Sequence, residues 1–377
     1  MEGADVAATN LSSARLDSAP TQPLQIHVMA ADLAPLWFVR YRMRLVPRAP
    51  LVLPLYGRGA ILRGAFGITL RGLVCHDMAL ECRACPLRAQ CPYPNTFETA
   101  PPEGGDRLSS FSDIPRPFVF DPPTDERTEF RSGETLEFGL TAIGRASHLA
   151  PYFVTAFRKL ADDGLGRRRA RFELVEVVAL GRRGGETAEA AEADGIRTVP
   201  GFATVGSREC VTVADIPIYK NTEPIVRITA PALRAGDFVP SDDASRTRLT
   251  LRFPTPVDLR DRGVRVDVPE FGPLVRRLRD RASSLAVFFG DGPLQLDFKG
   301  ISALANTVRL VKNRTRLLTV NRRSSKTGQR HDIGGFTGEA TYEGEGVGRL
   351  MPLVRVGEVM HVGKHAAFGN GRMEVVE

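Results

Sequence analysis

No apolar stretch in this chain approaches the ~18 residues that a membrane-spanning helix requires. No aromatic residue precedes Trp37, and the first residues lack the basic start and apolar core of a secretory signal. Membrane spans and exported proteins are thereby set aside, and a cytoplasmic protein with no membrane partner is expected. Acidic residues are missing altogether between Arg309 and His331, where Arg309, Lys312, Arg314, Arg316, Arg322, Arg323, Lys326 and Arg330 lie. Those eight cations exceed the net charge of +7 for the whole chain, so the remainder is close to neutral. A polyanionic partner suits such a concentration. Leu310, Leu317, Leu318 and Val320 interleave with the basic residues and imply strands; a solvated, self-repelling loop is the other reading.

What is present suits a soluble protein of two domains, since 377 residues exceed one small core. Residues 1–34 are rich in Ala, Ser and Asp and read as a poorly ordered leader. Partial alternation over 37–45 predicts a strand. The spacing of Leu62, Phe66, Leu70 and Leu73 predicts a helix over 60–74, with Arg63, Gly67 and Arg71 on another face. Glycine costs roughly 1 kcal/mol in a helix interior. Gly64 and Gly67 therefore point to a close approach, either by a phosphate backbone or by a tightly packed neighbour. A strand over 134–140, a helix over 148–163 (Ser147 as N-cap, Gly164 as stop) and a strand over 171–180 follow. A further strand has room near 210–213, and 181–195 reads as an exposed connection.

The second half repeats this rhythm. It has a strand over 249–253 and a helix over 270–289 whose stripe is Phe271, Leu274, Val275, Leu278, Leu285 and Phe289. A hairpin over 307–321 and 335–342, a short helix over 350–356 and a strand over 372–376 complete it. The expected fold is α+β: two tandem ferredoxin-like (RRM-like, βαββαβ) domains over 35–218 and 219–377, the first with a cysteine-rich insertion over 75–130.

Four of the five cysteines, Cys75, Cys82, Cys85 and Cys91, fall in a C-x6-C-x2-C-x5-C pattern. Four soft ligands suffice for a closed tetrahedral zinc site. In a reducing compartment such clustering favours metal over disulfides. Iron–sulfur ligation and four metal-free thiols are the alternatives. Any metal here is expected to be structural, and Cys210 stands alone and is expected to be buried.

Four stretches together resemble one family. They are Gly64-Ala65-Phe66-Gly67 within LRGAFGITLRGL, the segment CRACPLRAQCPY, the segment GLGRRRARFELVEV from Gly164, and GGFTGEATYEGEGVGRLMPLVRVGEVMHVGKHAAFGNG from Gly334. This is similar to the CRISPR-associated pre-crRNA-processing endoribonucleases of the RAMP superfamily, over roughly 37–376. The resemblance implies tandem ferredoxin-like domains, a glycine-rich loop before the last strand, and metal-independent cutting of repeat RNA to a 2′,3′-cyclic phosphate and a 5′-hydroxyl. No carboxylate cluster in these stretches suggests a catalytic metal.

Cutting by the RNA's own 2′-OH needs a base, an acid and cations around the phosphate. His361, Lys364 and His365 sit at the glycine-rich loop and are the first candidates, with a buried, hydrogen-bonded His361 as the alternative. Gly363, Gly369 and Gly371 allow positive φ and offer backbone N–H groups to a phosphate. Many relatives carry a catalytic histidine near the first helix. This chain has none inside that helix, only His27 before the first strand and His76 after the helix; Tyr56 is a further candidate base. Arg58, Arg63 and Arg71 join the basic run as expected RNA contacts. Expected partners are CRISPR repeat RNA or crRNA and other effector-complex subunits. Two rivals stand beside the nuclease: a non-catalytic crRNA-binding subunit, and a zinc-dependent DNA-binding regulator, for which no helix-turn-helix pattern is found.

Overall fold

In the computed structural model, residues 26–99, 114–181, 214–223, 226–228, 230–323 and 328–376 are described. The first sheet is organised by β1 (Trp37–Pro47), whose alternation buries Tyr41, Met43 and Leu45 while Arg40, Arg42 and Arg44 face outward. Helix α1 (Arg58–Val74) follows, then β2 (Phe118–Asp121), β3 (Leu136–Ile143), α2 (Ala150–Asp163), β4 (Phe172–Leu180) and β5 (Ile216–Lys220). The sheet order is β2-β3-β1-β4-β5, every pairing antiparallel. Phe66 on α1 packs on Phe118, Phe120, Phe153 and Phe157 at ring separations of 5.3–6.2 Å, so both helices share one aromatic core under the sheet.

The second half comprises β6 (Arg248–Val257), α3 (Phe271–Phe289), α4 (Phe298–Thr307), β7 (Arg309–Leu318), β8 (Asn321–Arg323), β9 (Arg330–Asp332), β10 (Gly335–Glu343), α5 (Gly346–Met360) and β11 (Glu374–Val376). The order of its main sheet is β7-β10-β6-β11, again antiparallel. Helices α3, α4 and α5 pack together on Leu249, Leu251, Phe253 and Tyr342. Phe38, Val119 and Ile143 belong to this same core, which therefore runs from one half of the chain into the other. The architecture is mixed α and β with antiparallel sheets.

Several expectations change. The missing strand of the first sheet is β2, within the stretch read as insertion; 210–213, Cys210 and most of 181–195 lie outside the described residues. Alternation was not visible in four residues, Phe118-Val119-Phe120-Asp121, three of them buried. The expected boundary at 218 cuts β5, and Leu233–Arg234 still pairs with Trp37 and Phe38. The expected leader is ordered from residue 26: Val28 and Leu33 are buried, and Val28 donates its N–H to the Arg349 carbonyl. Residues 1–25 lie outside the described residues. Helix α4 was not anticipated, although Asp297 caps it by accepting from the Gly300 N–H at 2.9 Å. Ser147 lies within a 3-10 turn and does not cap α2. Leu73 is exposed and outside the α1 stripe.

The two readings of Gly67 are separated by packing. A Cβ there would meet the Phe97 ring at 2.6 Å, whereas a Cβ on Gly64 would meet nothing within 4 Å. Gly67 thus admits the aromatic exit of the cysteine-rich segment onto α1.

Candidate active site

The C-terminal end of α5 and the N-terminal end of α1 converge on one loop, 361–371. Helix α5 stops at His361, which has φ +59° and donates its N–H to Gly357 O. A non-glycine residue in that region is strained by about 1–3 kcal/mol and needs surroundings that enforce it. They are present. His361 is wholly buried, with Nδ1 3.0 Å from Asn370 O and Nε2 2.9 Å from Asp121 Oδ1. Both ring nitrogens thus face oxygen atoms of the protein. Asp121 lies at the end of β2, in the other half of the chain, and Arg372 stands 3.7 Å away. Burial opposes ionisation of Asp121, but His361, Arg372 and Arg40 outweigh it and hold the carboxyl at about 2. His361 is therefore a clasp between the two halves and has no free ring nitrogen for substrate, in line with the buried alternative raised above.

The loop's glycines serve close approach. Gly371 has φ +73°, and a Cβ there would lie 1.8 Å from Val362 O. Gly369 has φ +81° and abuts Phe120 O and Pro122 across the clasp. The N–H groups of Gly369 and Gly371 donate to Ala366 O and Pro256 O, so the expectation that they face a phosphate is corrected. On the α1 side, a Cβ on Gly59 would lie 2.1 Å from Phe368 O.

His365 and Lys364 emerge from this loop into a cleft of about 950 Å³ between the halves, lined also by Arg63, Arg116, Asp258, Arg260, Arg277 and Arg281. The His365 ring lies 5.5 Å from Phe368. Burial pushes the His365 imidazole below its ordinary value; Asp258 opposes this, while Lys364, Arg322 and Arg260 push further down. This direction favours the neutral ring, the form that can accept a proton. Lys364 is exposed and supplies charge. Tyr56 lines a neighbouring cleft of about 110 Å³, with Phe368 common to both.

The expected RNA contacts divide. Arg58 is 1 % exposed and donates to Pro54 O, Pro123 O, Asp125 and Arg127 O, so it is a strut of the fold. Arg71 donates to Met78 O and Leu80 O and pins the cysteine-rich segment. Arg63 faces the cleft with its guanidinium 4.4 Å from the Phe368 ring, and Arg322 is 4.7 Å from the same ring. Arg309, Lys312, Arg314 and Arg316 are exposed on the edge strand β7 and have no ion-pair partner among the described residues. Opposite Arg314 and Arg316 stand Glu339 and Thr337 of β10, on the sheet face away from the helices. Arg330 is exposed on β9; Lys326 and the Arg323 side chain lie outside what is described.

Cys75, Cys82, Cys85 and Cys91 line one pocket of about 320 Å³, and all four are free and half-buried. No group of three or more His, Cys, Asp or Glu side chains among the described residues is disposed to hold a metal. These placements give the expected zinc no support among the described residues.

Sequence reasoning missed Asp121, Asn370, Arg260 and the arginines of α3. Arg277 and Arg281 stand four apart, a spacing that places them on one helix face and was readable. Asp121 carried no signal, being 240 positions from His361.

Residues 251–373 match the family of the CRISPR-associated endoribonuclease Cas6. The chain resembles Cas6. Residues 35–199 match the AF_1859_N family, described as an N-terminal domain. Among solved structures, Thermus thermophilus Cas6 has 17% identity and a TM-score of 0.44, covering 90% of this chain and 99% of its own. A partial Cas6-RT-Cas1–Cas2 complex has 11% identity and a TM-score of 0.49, covering 90% of this chain and 46% of its own. A RAMP protein binding different RNA substrates has 10% identity and a TM-score of 0.39, covering 90% and 100%. No curated protein matches. The Cas6 family match over residues 251–373 agrees with the resemblance read from the sequence. No helix among the described residues is long and apolar enough to cross a membrane.

Proposed function

We propose that this chain binds CRISPR repeat RNA and cuts it without a metal ion, with His365 as the general base. The observation that carries this reading is a histidine beside Lys364 in a cleft between the two halves that five arginines also line. In the proposed step His365 takes the proton of the 2′-OH, the 2′ oxygen bonds to the adjacent phosphorus, and the P–O5′ bond breaks. The departing 5′ oxygen gains a proton from water, leaving a 2′,3′-cyclic phosphate and a 5′-hydroxyl. Lys364, with Arg63 and Arg260 from the same cleft, balances charge on the crowded phosphate. We read the two halves as tandem ferredoxin-like domains, supported by strand orders β2-β3-β1-β4 and β7-β10-β6-β11, the second, third, first and fourth strands of each half in turn.

The deciding experiment incubates the protein with the repeat RNA of its own locus in EDTA. Cutting is expected to persist, and to vanish when the nucleotide 5′ of the cut is 2′-deoxy. Cutting of the deoxy RNA at the same bond would exclude 2′-OH attack.

The edge strand β7 extends the RNA path in this reading. Replacing Arg314 and Arg316 together by alanine should weaken repeat binding and flatten the slope of log K against log salt by roughly 1.4–1.8. An unchanged slope would make these residues a charged guard on a sheet edge.

A further inference from the structure

Helix α3 presents Arg277, Arg281 and Ser283 to the cleft that holds His365 and Lys364. Six buried side-chain polar atoms have no hydrogen-bond partner among the described residues. Four of them belong to residues lining this cleft: Arg63 Nε, Arg277 Nε, Arg281 Nη2 and Ser283 Oγ. An unpaired buried donor costs about 1–3 kcal/mol, so four at one place call for a ligand that supplies acceptors. Guanidinium groups only donate, and a serine hydroxyl can do so as well. The complementary ligand is therefore rich in acceptor oxygens.

Charge gives its sign. The carboxylates in the cleft are already engaged, Asp258 by Arg260 and Asp280 by Arg279 and Arg277. Arg281 is anchored by its Nε, which donates to Met360 O at 2.9 Å at the end of α5. Burial pushes its guanidinium down to about 10, where it is still cationic at neutral pH. An oxyanion satisfies both the donors and the charge. A volume of about 950 Å³ is at the upper end for a small-ligand site, so a phosphate at α3 leaves room for another beside His365.

We propose that Arg281 and Ser283 form a subsite for one phosphate of the bound RNA that is not the phosphate cut. This rests on the RNA-cutting reading above and deepens it. Arg281 and Ser283 position the strand through that phosphate, and the proton transfer belongs to the loop that carries His365.

The test uses non-cleavable 2′-deoxy repeat RNA in which each phosphate in turn is a neutral methylphosphonate. Binding to the full-length protein is compared with binding to Ser283→Ala and Arg281→Met. Ser283 Oγ makes no hydrogen bond among the described residues, so its removal spares the fold. At one position away from the cut, the methylphosphonate should weaken wild-type binding roughly 10-fold and binding to the variants by less than about two-fold. On cleavable RNA at saturation, Ser283→Ala should keep the wild-type rate. Variants as sensitive as wild type at every position, or a Ser283→Ala rate that falls at saturating RNA, would overturn the subsite. A second arm follows thermal unfolding with inorganic phosphate. Stabilisation of wild type but not of Ser283→Ala, with no repeat RNA bound by either, would keep the subsite and remove the RNA reading. Failure of wild type to respond to either ligand would remove both.

Discussion

Asp121→Ala should destabilise the protein by about 1–3 kcal/mol, the usual scale for leaving a buried donor without its acceptor. The reason is specific to the clasp. His361 is wholly buried between the Asp121 carboxylate and Asn370 O, so losing the carboxylate leaves a buried ring nitrogen with no partner. The loss is transmitted, because the Asn370 side chain donates to Ile333 O at 2.5 Å, at the base of the basic hairpin. Acid gives an independent reading. The Asp121 carboxyl is held at about 2 in the fold, below its ordinary 3.8. A depressed carboxyl contributes stability that is full above its unfolded value and lost as pH falls through the folded one. That contribution is about 2.5 kcal/mol, present above about pH 5 and lost between roughly pH 4 and 2. Urea unfolding across this range should show the wild-type advantage over Asp121→Asn shrinking toward acid. A gap of less than about 1 kcal/mol for Asp121→Ala at pH 7 would show that the clasp does not hold the halves together.

His365→Ala should lower the single-turnover cutting rate by ~10²-fold or more, with repeat affinity little changed. His365 is the loop histidine that lines the cleft, whereas His361 is closed off by its partners. The pH profile carries a sign. Burial and the neighbouring cations depress the His365 imidazole, so the base stays unprotonated to below the ordinary histidine range. The acid limb of the wild-type rate should therefore have its midpoint below the ordinary histidine value. His365→Ala should lose that acid limb. Wild-type rates from His365→Ala would pass the proton transfer to Tyr56 or to another group in the neighbouring cleft.

His361 and His365 show what separates a motif from a site. Both flank Lys364 in the sequence, and residue type alone assigned them the same chemistry. The difference lies in what stands around each ring: a carboxylate from β2 and a loop carbonyl for His361, and an open cleft for His365. Arg58 and Arg63 divide similarly. They are five residues apart on α1, yet one is buried among carbonyls and the other lies over Phe368.

The sequence by itself determined the long elements. The 3.6-residue period of α1, α2 and α3 and the alternation of β1 and β6 are properties of consecutive residues, and each returned close to its expected bounds. It also determined the basic run on β7, because charge is read directly from residue type. Short β2 and capped α4 escaped because four residues carry too little period, and a cap is one side chain. The partner of each functional residue was decided only by tertiary structure. Asp121 meets His361 across 240 positions, and α3 meets the glycine-rich loop, because the core under α3, α4 and α5 takes in Phe38, Val119 and Ile143 of the first half and so brings distant loops to a single cleft. Such contacts depend on how faces meet in space, which no local pattern records.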